Sequence, residues 1–127
     1  MKIIRKIQPF FSDKRGVLSH LLENEKPITS ALLITSKKGT IRANHYHIKD
    51  THYVYVIKGS MEYYYKNSHA KNVELKKIIV TEGEIVKTPL MTPHAMKFRK
   101  DSIFLALTTE PRDQKKYEKD TVRIKLI

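Results

Sequence analysis

Short runs of β-branched and aromatic residues, broken at regular intervals by turn formers, constrain this chain more than any other feature. "ALLIT" (31–35), "YVYVIK" (53–58), "SMEYYY" (60–65), "KKIIV" (76–80), "EIVKT" (84–88), "HAMKF" (94–98) and "IFLAL" (103–107) each have the length and residue types of a strand. Turn signals stand at Asp13-Lys14-Arg15-Gly16, Lys38-Gly39, Glu82-Gly83 and Lys100-Asp101-Ser102, and Lys58-Gly59-Ser60 joins two of the runs in what reads as a glycine turn. Strands recurring about every 8–12 residues indicate an all-β sandwich or barrel. Helix is scarce: "RDQKKYEKD" (112–120) has the material for one or two exposed turns, and "VRIKLI" closes the chain with strand-like alternation.

The 127 residues make one domain, 1–127, with a single modest core and no linker or repeat. No apolar run is long enough to span a membrane. The start, "MKIIRKIQPFFSDKRG", interrupts its apolar residues with charge, unlike a signal peptide. The absence of cysteine excludes a disulfide frame and a thiolate metal site. These features are read as a cytoplasmic protein without a membrane partner. "MKIIRKIQPF" (1–10) has strand character and precedes the main run of strands, so it forms an arm able to pair with another subunit. A homodimer is expected on that ground. The net charge of +12 favours acidic partners, a phosphorylated small molecule among them. The basic residues are spread along the chain without a cluster or aromatic platform, so nucleic acid is not expected as a partner. A lysine-rich composition with no partner at all fits the same spread.

Within "GTIRANHYHIKDTHYVYVIKG" (39–59) three histidines, His45, His47 and His52, crowd together. On a strand His45 and His47 share a face, with Cα atoms roughly 6.6 Å apart at about 3.3 Å per residue. Two imidazoles at that spacing can lean toward one ion. If the strand after "IKD" runs back alongside, His52 supplies a third nitrogen, and His94 lies on a later strand. Imidazole suits a divalent transition metal such as zinc, iron, manganese or nickel better than magnesium or calcium. An H-x-H taken alone is equally consistent with a strand carrying two polar residues. His20 and His69 fall outside the pattern.

The spacing of this stretch resembles the first motif of the cupins, with Gly39, His45, His47 and Gly59 in register and His52 where that motif has glutamate. "GEIVKTPLMTPHAMKF" (83–98) resembles the second motif through Gly83, Pro89 and His94, with Met91 at a usual glycine and Phe98 at a usual asparagine. The resemblance implies a double-stranded β-helix, the cupin jelly roll. It also implies His45, His47 and His94 as metal ligands, with His52 in place of a carboxylate. "GTIRANHYH" is further similar to a segment of the nucleotide-sugar 3,5-epimerases and small sugar ketoisomerases, enzymes that generally need no metal. That similarity implies His45 as general base and Arg42 at the substrate site, with Ala43 replacing glycine and His47 replacing glutamine. The aspartate that would orient the base has no clear position; Asp101 and Asp113 stand near the later strands.

Two chemistries follow. A metal held by His45, His47, His52 and His94 can polarise a carbonyl or enediol, or, as iron, serve a dioxygenase. Without metal, His45 takes a proton next to a keto group and a tyrosine returns it. Tyr63 and Tyr65 share one strand face and are the substrate-binding candidates; packing at the barrel wall is the competing reading. Arg42 has the opposite parity to His45 and His47, so it reaches the same cavity only if a bulge intervenes. The expectation is a metal-binding enzyme of isomerase or epimerase type acting on an oxygenated small molecule such as a nucleotide-linked sugar. A dioxygenase and a non-catalytic binding or sensing protein are the alternatives.

Overall fold

The computed structural model describes residues 4–127. Twelve strands and one short helix follow in order: β1 (Ile4–Lys6), β2 (Pro9–Asp13), β3 (Gly16–Ser19), β4 (Ser30–Ser36), β5 (Ile41–His47), β6 (His52–Lys58), β7 (Ser60–Tyr65), β8 (Lys76–Thr81), β9 (Glu84–Thr88), β10 (His94–Phe98), β11 (Ser102–Thr108), α1 (Gln114–Asp120) and β12 (Thr121–Arg123). Two five-stranded antiparallel sheets face each other, ordered β1-β9-β6-β11-β4 and β12-β5-β10-β7-β8, while β2 and β3 form a separate hairpin. The chain changes sheet between most consecutive strands from β4 onward, the winding of a jelly roll. The expected arm, 1–10, falls partly outside the described residues. Within them, Ile4–Lys6 pairs antiparallel with β9 of the same chain.

Two local expectations are corrected. The runs either side of Gly59 are not a hairpin: β6 and β7 lie in opposite sheets, and Gly59 is a corner between them. Glycine is required there. Its φ is +103°, and a Cβ would stand 2.1 Å from the Ser102 hydroxyl and 2.8 Å from the Ser102 Cα. Likewise β6 does not run back alongside β5; it crosses into the facing sheet.

Alternation decides what meets between the sheets. Inward positions of β6 are His52, Val54 and Val56; those of β10 are His94, Met96 and Phe98. Each strand therefore carries one histidine at one end and apolar residues beyond it. Val54, Val56, Met61, Val80, Val86, Phe98 and Phe104 pack as one buried cluster, with Phe98 and Phe104 stacked at 5.5 Å. The histidines form a polar layer at one end of this core. Among the described residues no helix is long and apolar enough to cross a membrane.

Candidate active site

Three elements carry the histidine layer. β5 supplies His45 and His47, β6 supplies His52, and β10 supplies His94. Ring centroids are 4.5 Å apart for His45–His47, 4.8 Å for His45–His94, 5.5 Å for His47–His52 and 5.0 Å for His52–His94. All four are buried, His94 to 1% exposure. Residues distant in sequence thus converge because β5 and β10 pair, His94 opposite His45, while β6 faces them from the other sheet.

Tautomers follow from the hydrogen bonds. His94 Nδ1 lies 2.9 Å from the Thr92 carbonyl oxygen, and His52 Nδ1 lies 3.1 Å from Asp50 Oδ2. The Thr121 hydroxyl donates to the Tyr117 carbonyl at 2.6 Å, which leaves its oxygen to accept from His47 Nδ1 at 3.3 Å. In each case the acceptor fixes the proton on Nδ1 and frees Nε2. His45 Nδ1 is buried with no hydrogen-bond partner.

Burial, reinforced by the neighbouring imidazoles, depresses the His45 pKa to about 3. The same causes bring His47 to about 4 and push His94 well below its usual value. Burial alone would raise the Asp50 carboxyl, but the bond from His52 and the Glu110 N–H hold it below its ordinary value. These three imidazoles are therefore neutral, the state that binds a metal.

The residues fit a divalent transition ion. Donor atoms of His45, His47 and His94 lie within 4.8 Å of one another, and those of His47, Asp50 and His52 form a second such group. Neutral nitrogen donors, Nδ1 groups anchored by outer acceptors, and an orphaned buried nitrogen on His45 are the features of a nitrogen-rich site.

Arg42 also reaches this layer. Ala43 and Asn44 both have positive φ, 71° and 56°, and the β5–β10 register shifts between His94 and Ala95. That is a bulge, and it reverses the parity of Arg42, whose side chain lines the cavity. Its guanidinium donates to the Ser36 hydroxyl and to the Thr35 carbonyl, the latter at 2.8 Å.

Tyr63 and Tyr65 do not line the cavity. Tyr63 is fully buried, stacked behind His94 at 6.1 Å, with its hydroxyl bonded to Thr88. Tyr65 packs beside it at 5.7 Å. The tyrosine at the cavity is Tyr117 on α1, 5.5 Å from the His47 ring, with the Arg112 guanidinium 4.3 Å over its face. Asp113 is occupied as the N-cap of α1, and Asp101 accepts from the Lys38 N–H. The carboxylates beside the histidines are Asp50 and Asp120. Asp120 lies 3.8 Å from His47 Nδ1 and accepts the N–H groups of Lys49 and Asp50 at 2.7 and 3.1 Å, tying α1 to the 48–50 turn.

The cavity among these groups is about 110 Å³. A larger groove, about 510 Å³, lies between the N-terminal segment and the outer face of β6 and β9, lined by Arg5, Phe10, His20, Tyr53 and Lys87. It contains none of the four converging histidines, so the smaller cavity is the candidate for chemistry.

Two facing antiparallel sheets, wound as a jelly roll around an inward histidine layer, make the cupin type of jelly-roll fold. Residues 11–121 match the polysaccharide biosynthesis C-terminal domain, and the chain belongs to that family. No curated protein sequence matches it. Among solved structures, the TDP-fucose 3,4-ketoisomerase of Campylobacter jejuni is similar with a TM-score of 0.74 and 22% identity, over 94% of this chain and 86% of that one. The dTDP-4-dehydrorhamnose 3,5-epimerase of Sulfolobus tokodaii gives 0.74 and 18%, over 95% and 75%. The capsular polysaccharide assembling protein CapF of Staphylococcus aureus gives 0.67 and 18%; 94% of this chain matches 34% of CapF.

Proposed function

We propose that the chain is a metal-binding isomerase or epimerase acting on a nucleotide-linked sugar. The observation that carries this is the meeting of His45, His47 and His94 with Arg42 around one cavity. The family's place in polysaccharide biosynthesis and the nucleotide-sugar isomerases and epimerases of the same fold support it. His45, His47 and His94 would hold a divalent transition ion, with His52 beside them. When bound, such an ion supplies Lewis-acid polarisation of a keto oxygen.

The chain's own residues do the rest. Arg42 and Arg112 place two guanidinium groups at the cavity, where anionic oxygens of a diphosphate can be bound. The apolar wall of Ile34, Val54, Phe104 and Ala106 keeps water from the reacting carbon. Tyr117 presents a ring and hydroxyl from α1, in the role the sequence assigned to Tyr63 or Tyr65.

The test is thermal denaturation with and without TDP, the ligand bound in the similar QdtA 3,4-ketoisomerase of Thermoanaerobacterium thermosaccharolyticum. TDP is expected to raise the melting temperature of the wild type and to raise that of Arg42→Gln less at the same concentration. Incubation with nucleotide-linked 4-keto sugars should then give an isomer or epimer detectable by NMR. A shift without turnover would favour a binding protein, and oxygen uptake with iron a dioxygenase.

A further inference from the structure

His52 differs from the other three imidazoles. Donor atoms of His45, His47 and His94 form one group within 4.8 Å, whereas His52 groups with Asp50 and His47. It also has the best-built carboxylate partner. Asp50 is 2% exposed, and its Oδ1 accepts the N–H groups of Thr109 at 3.0 Å and Glu110 at 3.1 Å. Its Oδ2 is left for His52 Nδ1 at 3.1 Å. The other histidine with a nearby carboxylate, His47, stands 3.8 Å from Asp120, beyond hydrogen-bond reach, and uses the Thr121 hydroxyl instead. His45, the base implied by sequence resemblance, has no carboxylate and no partner on Nδ1.

An imidazole that lines the cavity and is clamped through Nδ1–H by a fixed carboxylate has the arrangement of a proton-transfer residue. We propose that His45, His47 and His94 alone hold the metal, and that His52, positioned by Asp50, moves the proton. This rests on the sugar reading above. The C–H bond next to the keto group breaks, its electron pair passes to the carbonyl oxygen as an enolate, and the proton goes to His52 Nε2. A proton from solvent then returns to carbon and His52 releases its own to solvent, so no oxidant or reductant is consumed. Asp50 acts through His52 and touches no reacting atom.

The full chain loaded with zinc decides this. Elemental analysis should find zinc retained by His52→Gln at the wild-type level and lost in His94→Ala. Long-range ¹H–¹⁵N spectra should show His52 protonated on Nδ1 with an unligated Nε2, and metal-bound nitrogens on His45, His47 and His94. In Asp50→Asn the proton should move toward Nε2 of His52, which a merely structural role would not produce. Should Asp50→Asn fail to fold, the His52→Gln result stands in its place. In D₂O, deuterium uptake into a nucleotide-linked 4-keto sugar should fall about 100-fold or more in His52→Gln. Zinc loss in His52→Gln, a zinc-bound His52 nitrogen, or unchanged deuterium uptake overturns the proposal. If the wild type takes up no deuterium, the proton-transfer role falls with the sugar reading, while the zinc and NMR results separately decide the ligand set.

Discussion

Acid should unfold the metal-free protein through its histidine layer. The perturbation is pH, lowered from 7.5 to 4.5 after removal of divalent ions by a chelator. His45 titrates near 6.5 in the unfolded chain and at about 3 in the folded one; His47 falls from 6.5 to about 4. The cause in both is burial first, then the adjoining imidazole charges. Between those limits the unfolded chain binds more protons, so stability rises with pH. The stabilisation of the neutral form is fully present above about pH 6.5 and is withdrawn as pH falls toward the folded values. Each group costs about 1.4 kcal/mol per pH unit, so two of them over two units withdraw roughly 6 kcal/mol. Halving this for local relaxation and water entry leaves about 3 kcal/mol, a large part of a typical 5–15 kcal/mol. His94, displaced in the same direction, adds to it. Urea unfolding at pH 7.5, 6.0 and 4.5 measures the slope, and replacing His45 with glutamine should flatten it. A free energy constant to within about 0.5 kcal/mol across that range would show instead that the imidazoles protonate without leaving their cluster and that their burial costs the folded state nothing.

Other substitutions probe the frame around the site. Gly59→Ala combines a positive φ with a Cβ 2.8 Å from the Ser102 Cα, and should cost at least about 2 kcal/mol in urea unfolding. Ala43 and Met91 adopt φ values of 71° and 60°, so Ala43→Gly and Met91→Gly should each stabilise the fold by about 1 kcal/mol. Arg42→Gln should raise KM for an anionic sugar nucleotide about tenfold or more with little change in kcat, read from initial rates. Phe104→Ala removes the ring stacked on Phe98 beneath the histidines and should cost about 3–5 kcal/mol in thermal or urea unfolding.

Much of the fold was legible because its strands are short, turn-bounded and rich in β-branched and aromatic residues. "HAMKF" is β10 residue for residue, and "EIVKT" is β9. Pairing was less legible. Gly59 looked like a hairpin turn, yet the same glycine serves a corner between sheets, and only the facing core distinguishes the two. The four histidines were visible through their spacing, although the reason His52 joins them is the facing sheet and not a neighbouring strand. Arg42 turned on a bulge that strict alternation cannot contain. Its trace in the sequence is Ala43 where the resembling segment has glycine, and Met91 marks the same left-handed geometry in the second motif.

The missed residues belong to α1 and its flanks. "RDQKKYEKD" is a charged run with a lone tyrosine, and nothing in its periodicity says that Tyr117 and Asp120 turn toward the histidines. They do so because Asp120 binds the 48–50 turn and β12 pairs with β5, placing Thr121 opposite His47 and Arg123 opposite His45. Asp50 was hidden in a turn-prone triplet. Its burial depends on the backbone of Thr109 and Glu110, nearly half the chain away.

Metal stoichiometry shows whether the imidazoles of β5 and β10 share one ion. Purified wild type, His47→Ala and His94→Ala, each loaded with zinc and dialysed, should carry about one ion per chain in the first and far less in the other two. Equal zinc in all three would mean that the imidazoles of β5 and β10 do not act on a common ion.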